Sequence, residues 1–190
     1  MSGMDGMGLE EIALPEGWAD DDIPHGIDAL IADAEDESWA LEEGDASGRF
    51  VAGDYRSVWQ VMCRWVREGE VARGAEFLEW GSGQGMATVL ASLLGLRATG
   101  VECNARLVAA SRALAARHGA ERARFVHGTY APLAGSNLPV VDARGRDVVY
   151  VYPWPGEEEF FLRHFAATAK EGARLLMWLG TLEMRAFRKT

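Results

Sequence analysis

An α/β fold with a doubly wound, mostly parallel sheet and helices on both faces is predicted for this 190-residue chain by three observations. Short apolar or β-branched runs alternate with helix-period segments from about residue 54 to residue 179, which is the pattern of successive βαβ units. Asp147 to Tyr152 is an almost unbroken run of Val and Tyr, as expected of a strand buried on both faces at the centre of a parallel sheet. Phe77 to Gly85 (Phe-Leu-Glu-Trp-Gly-Ser-Gly-Gln-Gly) runs straight into the Ala/Leu-rich segment Met86 to Leu94 and so reads as strand, glycine turn and helix start.

The chain divides by charge. Residues 1–48 hold fifteen of the 29 acidic side chains and no Lys or Arg, so residues 49–190 carry a net charge of +5 within a chain of net −10. We read 1–48 as an acidic arm or lid and 49–190 as the folded domain. Within the arm, Ile27, Leu30, Ile31 and Ala34 fall on one helical face, and Ile12, Leu14, Trp18, Ile23, Trp39 and Leu41 are too apolar for a solvated tail. Three uses are open to it: a partly ordered cover with its charges in water, a lid or docking segment for a basic substrate, or a segment folded back on the body's own positive charge. Its carboxylates repel phosphates, which disfavours nucleic acid as its partner.

Two cysteines, Cys63 and Cys103, without Cys-x-x-Cys spacing indicate neither a disulfide framework nor a metal site. The start of the chain is acidic where a signal peptide needs basic residues, and no apolar run approaches the ~18 residues needed to span a bilayer. The expectation is a soluble, cytoplasmic protein with no membrane partner.

In order, Asp54 to Val71 repeats Tyr55, Val58, Val61, Met62, Trp65 and Val66 at helical spacing, with Asp54 or Ser57 near its start. The strand ending at Trp80 and the helix Met86 to Leu96 follow, then a second strand, Arg97 to Glu102, that ends in an acid. Asn104 to His118 is a helix stopped by Gly119, and Arg122 to Val126 a third strand, leading into His127-Gly128-Thr129-Tyr130. Pro132, Gly135, Pro139 and Gly145 make 131–146 a loop. The fourth strand, Asp147 to Tyr152, is stopped by Pro153-Trp154-Pro155-Gly156. A helix from Gly156 to Lys170, with Glu157, Glu158 and Glu159 in its first turn, and a fifth strand from Ala173 to Leu179 complete the alternation. The remaining residues, 180–190, have room for one further strand.

Glycines at 81, 83 and 85 behind Glu79 let the backbone turn tightly and approach a ligand closely. The dinucleotide fingerprint fails in both registers, because Met86 or Thr88 stands where its third glycine belongs, and no Gly-Lys-Ser/Thr makes a Walker A loop. Glu102 lies 17 residues beyond Gly85, where a doubly wound sheet sets a carboxylate beside a ribose. The alternative for it is a solvent-facing strand end.

Glu79, Gly81, Gly83 and Gly85 together resemble the first motif of the class I S-adenosylmethionine-dependent methyltransferases, and Glu102 resembles their ribose-binding acid. The likeness covers roughly 49–180 and implies a Rossmann-like architecture, here with a shortened C-terminal edge. The usual sheet has seven strands and closes with a hairpin, so the edge is incomplete, trimmed, or covered by the acidic arm. The resemblance implies S-adenosylmethionine as cofactor, lying along Gly81, Ser82, Gly83, Gln84 and Gly85 and against Glu102 and Cys103, with Glu79 toward its ammonium. Family members often carry an acid past the third strand to hold the adenine. Here Gly128 and Thr129 stand instead, and a hydroxyl or carbonyl would replace it.

The resemblance also brings the upstream end of the first helix to the cofactor, making Tyr55 either a site residue or a core aromatic. It brings the loop after the fourth strand to the transferable methyl. Tyr152 and Trp154 there form an aromatic wall for a cation or pack into sheet and helix. Tyr152-Pro153-Trp154-Pro155 departs from the Asn/Asp-Pro-Pro-Tyr of many base methylases, which weakens a nucleic-acid acceptor. His127 is a candidate base or a hydrogen-bonded structural residue. The implied activity is methyl transfer to a protein lysine or other amino group, or to a small molecule. The competing readings are a catalytically silent methyltransferase-like scaffold and, more weakly, a nucleotide-dependent oxidoreductase.

Overall fold

The computed structural model describes residues 5–43, 53–180 and 183–190, with side chains from residue 6 and omitting those of 38–43. The arm's Trp39 and Leu41 side chains therefore lie outside the described residues.

Seven strands form one sheet: β1 (Leu9–Ile12), β2 (Glu76–Trp80), β3 (Arg97–Glu102), β4 (Ala123–His127), β5 (Val148–Val151), β6 (Arg174–Gly180) and β7 (Glu183–Lys189). Their order across the sheet is β1-β7-β6-β5-β2-β3-β4. The five strands from β6 to β4 are parallel, and β7 runs antiparallel to both of its neighbours. The chain leaves β2 toward β3 and β4, then returns to β2's other side with β5 and β6. That reversal makes the carboxyl ends of β2, β3 and β5 the place where such a sheet opens a crevice.

The helices are α1 (His25–Glu43), α2 (Tyr55–Arg67), α3 (Met86–Leu93), α4 (Ala105–Arg117) and α5 (Glu158–Thr168). The first four share one core with one face of the sheet, through Leu30, Ile31, Val58, Met62, Leu90 and Leu114. The other face is covered by α5 and by the segment between β4 and β5, through Phe161, Phe165 and Ala143. Asp54 caps α2, its carboxylate accepting from Ser57 N at 3.1 Å and Ser57 Oγ at 2.7 Å. Asn104 caps α4 in the same way, through Arg106 N at 2.9 Å. Helix α3 stops earlier than its periodicity predicts, because Gly95 takes φ +91° and Leu96 N turns back to Ala91 O.

The sheet edge is closed from the other end of the sequence. β7 would present a row of unpaired backbone groups, and β1 pairs with it from Leu9↔Lys189 to Ile12↔Ala186. Of the possibilities open for this edge, the acidic segment is the one realised. β1 supplies little apolar surface beyond Leu9, and Arg185 covers Phe187 on that face, its guanidinium 5.0 Å over the ring and bonded to both Glu11 oxygens at 2.7 and 2.6 Å.

The acidic segment also folds back on the body's arginines. Asp21 receives Arg64 at 2.6 Å and Arg67 at 3.1 Å. Asp28 and Glu35 receive Arg56, Asp33 and Glu37 receive Arg117, and Glu10 receives Arg188. Arg64 is the fullest of these clamps, bonding in addition to Glu16 O and Gly17 O. Its hydrogen bonds, and those of Arg67, hold the Asp21 carboxyl below the usual carboxylate range. Seven acids of this segment are thus directed inward.

Candidate functional site

The glycine turn and the end of β3 meet. Gly83 N donates to Glu102 Oε2 at 3.0 Å, and Asn104 N to Glu102 Oε1 at 2.8 Å. Two backbone donors therefore fix this carboxylate, which sits almost buried beside the turn, and each oxygen keeps acceptor capacity. Cys103 Sγ lies 3.5 Å from Oε1 on the exposed side. The turn is further held by Ser82 N to Val101 O at 2.9 Å and by Ser111 Oγ of α4 to Gly83 O at 2.9 Å.

Two glycines are needed here for space. A Cβ on Gly85, at φ +82°, would stand 2.4 Å from the Phe125 ring, so the helix start could not approach β4. A Cβ on Gly100, inside β3, would stand 2.8 Å from both Ser82 Oγ and Thr88 Oγ1. Gly100 is a site-shaping residue that the motif reading passed over. An isolated glycine within a strand was its available signal.

Glu79 points into the interior on the α2 side. Its Oε2 accepts from Thr88 N at 2.8 Å and Thr88 Oγ1 at 2.6 Å. Burial pushes its carboxyl up to about 8, with the charge of Glu102 acting in the same direction against the Thr88 hydrogen bonds. Tyr150, in register with Glu79 on the neighbouring strand, shares that face. Burial raises the Tyr55 hydroxyl to about 12 and lifts that of Tyr150, so both stay protonated near neutrality. Tyr55 lies beside the Gln84 amide and is part of the core, as its helical spacing allows. Gly53 passes over this group: a Cβ there would stand 3.5 Å from the Tyr150 hydroxyl and 3.6 Å from the Tyr152 ring.

At the end of β4 the exposed His127 ring bonds to Cys103 O at 3.0 Å. Gly128 N donates to Glu102 O, and the Thr129 hydroxyl donates to Ala131 O at 2.8 Å. Pro139 O accepts from Thr129 N at 2.9 Å and would stand 2.7 Å from a Cβ on Gly128, so the loop after β4 doubles back over this glycine. Strands β2 and β3 lie between β4 and β5. The ends of β4 and β5, which carry His127 and lead to Tyr152, are therefore separated by three strand spacings, roughly 14 Å.

No protein-family model and no curated protein matches this chain. Among solved structures it is similar to an RNA methyltransferase from Salinibacter ruber in complex with S-adenosyl-L-homocysteine, at 19% identity and a TM-score of 0.56, over 73% of this chain and 92% of that one. It is also similar to YjhP from E. coli, at 22% identity and a TM-score of 0.54, over 72% of this chain but only 52% of that one. The chain has the class I methyltransferase fold.

In this methyltransferase fold the remaining candidates divide between the two faces of the sheet. Tyr152 is half-buried on the α2 side near Tyr150 and Gly53. On the α5 side, Tyr130 packs against Phe161 at 5.1 Å and Phe160 at 6.2 Å, and His164 stacks on Phe160 at 5.7 Å. The Trp80 indole lies beneath them and donates to Val141 O at 3.2 Å, pinning the long loop. Trp154 and Phe160 are 42% and 44% exposed at this rim, so Trp154 stands at the surface rather than packed on a helix. His164, which sequence assigned only to a buried helix side, is the imidazole nearest these rings, and it bonds to Tyr130 O at 2.8 Å.

Proposed function

We propose that this protein is an S-adenosylmethionine-dependent methyltransferase whose acceptor is an amino group, on a protein lysine or a small molecule, rather than a nucleic acid. The observation that carries the reading is the fixed Glu102 carboxylate against the Gly81–Gly85 turn, together with buried polar atoms of Ser82 and Gln84 that have no well-aligned partner. Residues built this way fit an adenosyl cofactor. Glu102 would accept from the ribose hydroxyls, the turn would let the nucleoside lie close to the backbone, and Glu79 would face the ammonium.

When bound, the cofactor supplies an electrophilic methyl on a sulfonium that departs as a neutral thioether. The chain's part is to position and to exclude water. The glycine turn and Glu102 would fix one end, and Tyr152 and Trp154 would border the side from which an acceptor approaches, Tyr130 adding a further ring. The amino-group ranking is supported by charge. Arg56, Arg64, Arg67, Arg117, Arg185 and Arg188 are engaged by the acidic segment and so offer phosphates little, while Glu157 is exposed beside Trp154.

Calorimetry with S-adenosylmethionine, S-adenosylhomocysteine and a nicotinamide dinucleotide tests the cofactor. Heat with the first two and none with the third is expected, and the absence of heat with both removes the proposal. Glu102→Ala should weaken S-adenosylhomocysteine at least about thirtyfold, since it deletes two charge-assisted hydrogen bonds. Binding without transfer of radiolabelled methyl to any lysate component would favour the silent scaffold, a reading that the commitment of the Thr129 hydroxyl to Ala131 supports.

A further inference from the structure

The Tyr150 hydroxyl is buried with no hydrogen-bond partner among the described residues. A buried phenol left unpaired costs stability, and such groups call for an explanation. It stands beside Glu79 across the β2–β5 ladder, and the ionisable groups that act on it most strongly are Glu79, Tyr55, Tyr152 and Asp54. None of these is cationic. The arginines of α2, which start one residue after Tyr55, turn away to Asp28, Glu35 and Asp21. The corner thus combines one carboxyl with a hydroxyl and an amide, Gln84, that lack aligned partners.

A simple cation placed here would meet Glu79 and still leave the Tyr150 proton without an acceptor. A zwitterion satisfies both sides. We propose that the Tyr150 hydroxyl and the Gln84 amide donate to the α-carboxylate of the cofactor's amino-acid end while Glu79 takes its α-ammonium, so that this corner recognises an amino acid without a Lys or Arg. The inference rests on the cofactor assignment made above and adds Tyr150 as a specificity-determining residue.

The test compares S-adenosylhomocysteine with 5′-methylthioadenosine, which keeps the nucleoside and thioether but lacks the amino-acid end. Tyr150→Phe should weaken S-adenosylhomocysteine about tenfold and leave methylthioadenosine unchanged. The ligand-free protein should melt at the same temperature or higher, because an unpaired hydroxyl has been removed. Gln84→Glu sets a negative charge against the carboxylate and should weaken S-adenosylhomocysteine further, again sparing methylthioadenosine.

Unchanged S-adenosylhomocysteine affinity in Tyr150→Phe, or equal loss of both ligands, overturns the inference. So does a wild-type protein that binds methylthioadenosine as tightly as S-adenosylhomocysteine. A wild-type protein that binds neither removes the cofactor assignment along with it, which separates the two failures.

Discussion

The acidic segment and the glycine-turn corner are both crowded with polar groups, but those groups are treated oppositely. In the segment, Asp21, Asp28, Asp33, Glu35 and Glu37 each meet an arginine of the body. At the corner, Ser82, Gln84 and Tyr150 are buried with polar atoms that have no aligned partner. Half-exposed ion pairs contribute about 0–1 kcal/mol each, whereas an unpaired buried group costs about 1–3 kcal/mol. The abundant charges are therefore the weak part of the ledger, and the few silent hydroxyls and amides are the costly part. The cofactor proposed for the corner would give those groups the partners they lack.

If that contrast is right, the acidic segment is held by its apolar side chains rather than by its charges. Ile31 is fully buried and Leu30 nearly so, both within the core shared with α2 and α3. Ile31→Ala should cost about 3 kcal/mol, measured by urea denaturation. Arg56→Ala, which removes the pairs to Asp28 and Glu35, should cost under about 1 kcal/mol. Equal losses would reverse the ranking and make the segment an electrostatic latch.

The corner was legible in the sequence because its parts are local or set by fixed crossover lengths. The glycines and Glu79 lie within one turn, and Glu102 follows one helix and one strand later. β1 could not be read this way. Leu9–Ile12 is four residues with two glutamates, and its strand character comes from a partner more than 170 residues along the chain. Tyr150 was hidden for a different reason. Its place in an apolar run marks it as sheet core, which it is, and only the register with Glu79 shows that its hydroxyl is left over. Gly128 carried a signal of the opposite kind, a missing acid, and the structure accounts for the glycine by the Pro139 carbonyl packed against it.

Glu79 is faced by Thr88 of α3, Glu102 of β3, Tyr55 of α2 and Tyr150 of β5, with no cation among the strongest influences on it. Its carboxyl binds a proton more tightly in the folded chain, up to about 8, than in the unfolded one. Between the ordinary glutamate range and pH 8 the native state therefore holds the proton that the unfolded state has lost, and stability from this group falls as pH rises. Glu79→Gln should flatten that fall, a difference on the order of 4 kcal/mol between pH 5 and pH 8.5. Parallel stability profiles for the two proteins would mean that Glu79 is charged in the fold without help. An ammonium bound beside Glu79 would push the proton off, so S-adenosylhomocysteine should release protons at pH 7 while methylthioadenosine releases fewer.

The smallest effect is expected at the edge, where charge and cover are carried by the same side chain. Arg185 bonds to Glu11, and its guanidinium lies over Phe187, which is fully buried. Arg185→Met keeps an unbranched chain over the ring and deletes the charge, so it should cost less than about 1 kcal/mol at low salt, and the difference should vanish in about 1 M salt. Arg185→Ala also uncovers the ring, so it should lose more, and that extra loss should persist in salt because it is burial rather than charge. Equal losses for Met and Ala, both abolished by salt, would show that the Glu11 pair alone secures β1. That outcome would bring the edge into line with an electrostatic latch and remove the distinction between a segment seated by burial and a corner whose buried polar atoms lack partners.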